Sequence, residues 1–191
     1  MAVGLASVKT RVYGQVMVER LTKADWISEG LRTLATEGVA GLKVGPMSDR
    51  LKVSRGSFYW HFADISALRD QLLNEWSDAA TEQVISRIDV DEPPDRFRVL
   101  MRRAFASDRK LERAIRGWAA TDSQVAGVVA DVDARRIGYI ASVLTDKGVA
   151  EALPRARFIY WAFLGQPIIM DTDHALLTEG EIDRMCGLLS A

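Results

Sequence analysis

Lys43, Lys52, Arg55, Ser57, Tyr59, Trp60 and His61 lie within one short stretch, and their side chains share a capacity to meet a polyanion. The arginine fork fits the O6 and N7 edge of guanine, and a serine hydroxyl donates to or accepts from several bases. Arg55 and Ser57 are therefore the candidates for reading base edges. Gly56 between them removes a side chain where a backbone would approach closely. Lys43, Lys52, Tyr59, Trp60 and His61 are the candidates for positioning on phosphates, which carry no sequence information themselves.

Such groups work only if something rigid holds them, and the flanking pattern supplies short helices. Thr22 and Asp25 resemble a capping box, after which Ala24, Ile27, Leu31, Leu34 and Ala35 recur on one face, predicting a helix over about 22–37 that ends at Glu37-Gly38. Pro46 suits the first turn of a second helix, where its missing N–H costs nothing, and that helix ends near Leu51-Lys52. Ser54 is placed to cap a third, running to about Trp60. Val44, Met47, Leu51, Val53, Phe58 and Phe62 can turn inward while the polar set faces out. A helix braced this way fits the major groove.

Charge agrees with that division. The net charge is −1, yet residues 1–64 hold nine Lys/Arg against six Asp/Glu, so a basic head stands on an acidic body. Residues 1–20 read as a mobile arm, or an over-extended start with Met17 just before the first organised segment. Residues 21–64 form the head and 65–191 the body. One cysteine, Cys186, excludes an intrachain disulfide, and no signal peptide or membrane-spanning run is visible, so a cytoplasmic, soluble protein without a membrane partner is expected. His61 and His174 are the only histidines, and neither a metal-ligand spacing nor a P-loop is present. No catalytic residues, metal or cofactor are expected, and the chain does not read as an enzyme.

The body also reads as helical, giving an all-α chain of about nine helices. Asp64 can cap a long fourth helix over 65–88, roughly 35 Å at 1.5 Å per residue, which joins head to body. Asp91-Glu-Pro-Pro-Asp95 interrupts the pattern, and helices follow at about 94–107, 109–119, 122–146, 156–170 and 179–189. Pro167 should kink or end the penultimate one. That helix is apolar nearly all round, and with the last helix it could form a four-helix interface with a second copy through Phe158, Trp161, Gly165, Ile168, Ile182, Met185 and Leu189. It equally fits a central core helix. Likewise Tyr59 and Trp60 could seal a small core and His61 could be structural, which leaves a helical protein-interaction or ligand-binding protein that does not bind DNA as the rival reading.

The spacing of Ala35-Thr-Glu-Gly38, Val53-Ser-Arg-Gly-Ser57, Phe58-Tyr-Trp-His-Phe62 and Leu68 resembles the tetracycline-repressor (TetR) family of bacterial transcriptional regulators over residues 22–75. The resemblance implies a homodimer that sets each third helix in the major groove of a palindrome-like, double-stranded DNA operator, with phosphate contacts at Tyr59 and His61. It also implies a small-molecule effector in the C-terminal domain that weakens DNA binding. By that likeness the ligand pocket would involve Met101, Phe105, Trp118, Tyr139 and Trp161, with polar contacts from Asp122 and Arg136, and the aromatic set predicts a largely apolar effector. Four positions depart from the family pattern: Lys43 stands where a capping Thr is common, Gly45-Pro46 opens the second helix, Lys52 replaces a turn Gly, and Ile65 replaces a basic residue.

Overall fold

A computed structural model describes residues 21–91, 93–106, 109–169 and 177–191. The arm expected over residues 1–20 and His174 lie outside the described residues.

The head opens with α1 (Lys23–Glu37), which begins at the expected box: the Asp25 amide donates to Thr22 Oγ1 at 3.3 Å and the Thr22 amide to Asp25 Oδ2 at 2.6 Å. Gly38, at φ 68°, ends it in a conformation that costs glycine little. A 3₁₀ turn over Val39–Gly41 leads to α2 (Val44–Leu51), in which Pro46 falls within the first turn. Lys43 precedes α2 without capping it through its side chain. Lys52 then takes the left-handed conformation, φ 57° and ψ 41°, where a lysine pays a steric cost that glycine would not. α3 (Arg55–Tyr59) follows; Ser54 occupies the cap position but its hydroxyl makes no capping bond.

Asp64 caps α4 (Ile65–Ser77), accepting from the Ala67 amide at 2.8 Å. The long helix expected over 65–88 is present as a continuous helical run from residue 65 to 91, with one π-helical turn inside it. That turn, over Asp78–Glu82, divides the run into α4 and α5 (Gln83–Asp91), so ten α-helices replace the nine expected among the described residues. Periodicity does not reveal such a turn, because one inserted residue leaves the chain helical on both sides.

The body continues with α6 (Arg96–Ala106), α7 (Lys110–Ala119), α8 (Ser123–Asp146), α9 (Ala152–Ile169) and α10 (Glu179–Leu189). Asp122 caps α8 by accepting from the Gln124 and Val125 amides. α9 starts earlier than expected because Pro154 fits its first turn, and it runs through Pro167 to Ile169 without ending there.

Two apolar cores result. The first gathers Trp26, Leu34, Met47, Phe58 and Phe62 from the head, Leu68, Leu72 and Trp76 from α4, and Ile115, Trp118, Val125 and Val129 from α7 and α8. The head core therefore continues past residue 64, with α1 seated against α7. The second core gathers Phe97, Met101, Ile140, Leu144, Ile159, Tyr160, Ile182 and Cys186 deeper in the body. No helix among the described residues is long and apolar enough to cross a membrane.

Candidate nucleic-acid interface and body cavity

Phe58 fixes α3 from behind. Its fully buried ring meets Trp26 edge-on at 5.2 Å and stacks with Phe62 at 5.4 Å. A short helix pinned through one face must present the other, and Arg55, Tyr59 and Trp60 are exposed, Trp60 by 86%. Ser57 is half-buried. Arg55 does not reach freely outward: its guanidinium folds back over α2, where a β-carbon on Gly45 would stand 3.0 Å from Nη2 and 3.3 Å from Cζ. The unusual Gly45 opening of α2 thus leaves the space that Arg55 occupies.

The basic excess of the head is redistributed by pairing. Glu29, buried on α1, accepts from Arg32 at 2.8 and 2.7 Å and from Arg50 Nε at 2.5 Å. Arg50 also donates to the buried Thr33 at 2.7 Å and pairs with Glu37 at 3.2 Å, which ties α2 to α1. Burial opposes ionisation of Glu29, but the hydrogen bonds and charges of Arg32 and Arg50 outweigh it and hold the carboxyl below the usual range. Lys23, Lys43, Lys52 and Arg55 have no ion-pair partner among the described residues, so uncompensated positive charge lies at the start of α1, at the two ends of α2 and at the start of α3.

His61 differs from the expectation of an open phosphate contact. It is half-buried, and its Nε2 lies 3.0 Å from the Leu21 carbonyl, an acceptor, so that nitrogen must carry the proton. The ring ties the end of α3 to the start of α1, leaving Nδ1 for any other partner.

In the body a cavity of about 290 Å³ opens among α4, the π turn, α5, α6, α7, α8 and α9. Of the residues singled out from sequence, Met101, Phe105, Arg136 and Tyr139 line it. Trp118, Asp122 and Trp161 do not. Trp118 packs in the first core and its indole N–H donates to Asp122 at 3.2 Å, while Asp122 is occupied capping α8. Trp161 points out of α9 and is 63% exposed, and its neighbour Tyr160 faces inward instead. An all-round apolar helix gives no signal of which face is buried.

A polar network makes one wall of this cavity, and of its members sequence reasoning named Arg136 and Tyr139 but missed Thr81, Glu112 and Tyr160, with Arg116 and Asp133 behind them. Glu112 accepts from Arg136 at 3.1 Å, from Arg116 at 2.8 Å and from the Trp76 indole at 3.3 Å. Arg136 also donates to Thr81 at 3.0 Å, within the π turn. Tyr160 donates to Asp133 at 2.6 Å, and Arg116 pairs with the same carboxylate. Burial, chiefly, pushes the Tyr160 hydroxyl up, so it stays protonated. Burial opposes the charge of Arg116, but Asp133 and Glu112 more than restore it. Tyr139 donates to Asp89 at 2.8 Å.

The expected pairing surface is partly revised. Phe158 (62% exposed) and Trp161 project from α9, Gly165 lies half-buried on the same stripe, and Met185 is exposed on α10. Ile182, only 2% exposed, is instead in the second core where α10 packs on α6, and half-buried Leu189 packs against that core. The outward residue of the last turn is Leu188. The side chain of Ile168 lies outside the described ones. Among the described residues no cluster of His, Cys, Asp and Glu could hold a metal ion.

No protein-family model and no curated protein matches the sequence. Solved structures do match the fold. Escherichia coli NemR in its reduced form superposes with a TM-score of 0.68 at 14% identity, covering 87% of this chain and 95% of NemR. A TetR-family member from Streptomyces coelicolor A3 gives 0.63 at 20% identity, covering 90% and 98%. AibR, solved in complex with isovaleryl coenzyme A and operator DNA, gives 0.64 at 16% identity, covering 87% and 96%. At these identities the shared property is architecture: the chain has the fold of the TetR-family regulators.

Proposed function

We propose that this protein is a ligand-responsive transcriptional regulator, a repressor that binds a palindrome-like, double-stranded DNA operator as a homodimer and is released by a small effector. The observation that carries the reading is α3, braced by Phe58 and Phe62 and exposing Arg55, Tyr59 and Trp60, packed against α2, whose flanking Lys43 and Lys52 have no ion-pair partner among the described residues. Arg55 and Ser57 read base edges. Lys43, Lys52, Tyr59 and Trp60 position the head on phosphates, and His61 does so only through Nδ1. AibR, of the same fold, was solved on operator DNA with an acyl-coenzyme A, which supports both halves of the proposal.

The body cavity is the effector site. Trp76 and Thr81 link its wall to the α4 run that begins at the head, and Leu111 and Glu112 link it to α7, which packs on α1. A ligand there can bias the tilt of the heads through two helices, and a useful switch needs about 1–3 kcal/mol of coupling. The exposed side chains of Phe158, Trp161, Met185 and Leu188, with half-buried Gly165 on the same stripe, are the dimer surface. Binding of the purified protein to a pool of random duplexes in low salt tests the whole reading. Enrichment of a two-fold-symmetric site supports it, whereas the absence of duplex binding would leave a helical interaction or ligand-binding protein.

A further inference from the structure

Arg109 is 9% exposed, stands just before α7 and lines the cavity, yet no carboxylate among the described residues lies within ion-pair distance of it. Its guanidinium is held by neutral groups. It sits 4.2 Å from the centre of the Phe163 ring and 5.3 Å from that of Phe105, and it donates to the carbonyls of Phe163 and Ala104. The Phe163 carbonyl is open for a simple reason: its helical donor would be the amide of residue 167, which is proline. Three neighbouring arginines do have acids, Arg102 with Asp183, Arg116 with Asp133 and Arg136 with Glu112.

Carbonyls and rings orient a guanidinium but do not cancel its charge, and a buried charge without a counter-ion is costly. Desolvation correspondingly lowers the Arg109 pKa to about 10. Glu112, whose charge favours ionised Arg109, is already shared by Arg116 and Arg136. Among the lining residues Glu112 is the one carboxylate and it is engaged by Arg136, so Arg109 is left without a counter-charge among the described residues. Most of the remaining lining is apolar, including Leu100, Met101, Ile140 and Ile159.

We propose that the cavity takes an amphipathic monocarboxylate, with its carboxylate on Arg109 and its hydrocarbon against Leu100, Met101, Ile140 and Ile159. The planar fork of arginine matches a carboxylate in two parallel hydrogen bonds. One uncompensated cation matches one negative charge, and a cationic head group would be repelled by Arg109. This inference rests on the reading of the cavity as an effector site and sharpens the largely apolar ligand expected from the aromatic residues.

Calorimetric titration of the full chain with decanoate and with decanamide, the neutral counterpart, tests it. Decanoate should bind roughly ten- to a hundredfold more tightly. Arg109→Met should abolish that preference while keeping decanamide binding, and Arg109→Lys should restore part of it. Equal binding of both probes to the wild-type protein would overturn the anion assignment and leave the effector site standing. Binding of neither would remove both. The wild-type pair decides the matter even if Arg109→Met fails to fold.

Discussion

Gly45 and Arg55 are interlocked: the guanidinium of the α3 residue occupies the space that a side chain on the α2 residue would fill. An arginine proposed to read base edges is thereby parked against the backbone of the preceding helix. Gly45→Ala displaces it by a few tenths of an ångström or sends it to another rotamer. The same change removes a flexible glycine from a helical position, which stabilises by about 0.4–1 kcal/mol where the backbone is compatible. The expected outcome is a slightly raised melting temperature with an altered base preference, measured by thermal unfolding and duplex selection on the same sample. An unchanged preference would dissociate Gly45 from recognition.

Lys52 combines a strained backbone with a charge that has no ion-pair partner among the described residues. Lys52→Gly should gain up to ~1 kcal/mol of stability by relieving the left-handed conformation and still bind DNA less well. The slope of log K against log salt should shrink by about one unit, and the loss should be nearly uniform across sequences. Fluorescence anisotropy at several salt concentrations reads the slope.

Acid should loosen the head through Glu29. Its folded-state carboxyl titrates below the unfolded value of about 4.3, so its contribution is complete above that value and is lost as pH falls through the lowered folded value. Glu29→Ala should cost about 1.5–3 kcal/mol at neutral pH, typical of hydrogen bonds to a charged group. It should also flatten the acid limb of a stability-versus-pH curve measured by urea unfolding. A variant with the wild-type acid limb would show that other carboxylates set it.

The outward face of α9 and α10 predicts association. Trp161→Glu places a charge on the proposed contact and should shift the protein from dimer to monomer in light scattering with the helical circular dichroism unchanged. A wild-type protein that is monomeric at micromolar concentration would contradict the assignment of that face.

The head was legible in the sequence because its signals are local. A capping box at Thr22, an N-cap at Asp64 and the apolar spacing of Met47, Phe58 and Phe62 each specify their own few residues. The body was less so. α9 is apolar on every side, so nothing in its pattern distinguishes inward Tyr160 from outward Trp161. Ile182 was misread for the same reason: α10 carries apolar residues on two faces, and only packing against α6 selects the buried one. Arg109 left a fainter trace, because a proline at 167 announces an unpaired carbonyl at 163 without saying which donor fills it. Arg136 was named for the pocket, but Glu112, Arg116 and Asp133 were not, since pairing across helices has no signature along the chain.

The central claim is that α3 is an outward-facing helix whose first residues read DNA. The most direct measurement is parallel selection from random duplexes with the wild-type protein and with Arg55→Ala. The account predicts a symmetric wild-type site and, for the variant, loss of preference at one matching position in each half-site while low-salt binding persists. An identical selected sequence from both proteins, or no duplex binding by the wild type, would contradict it.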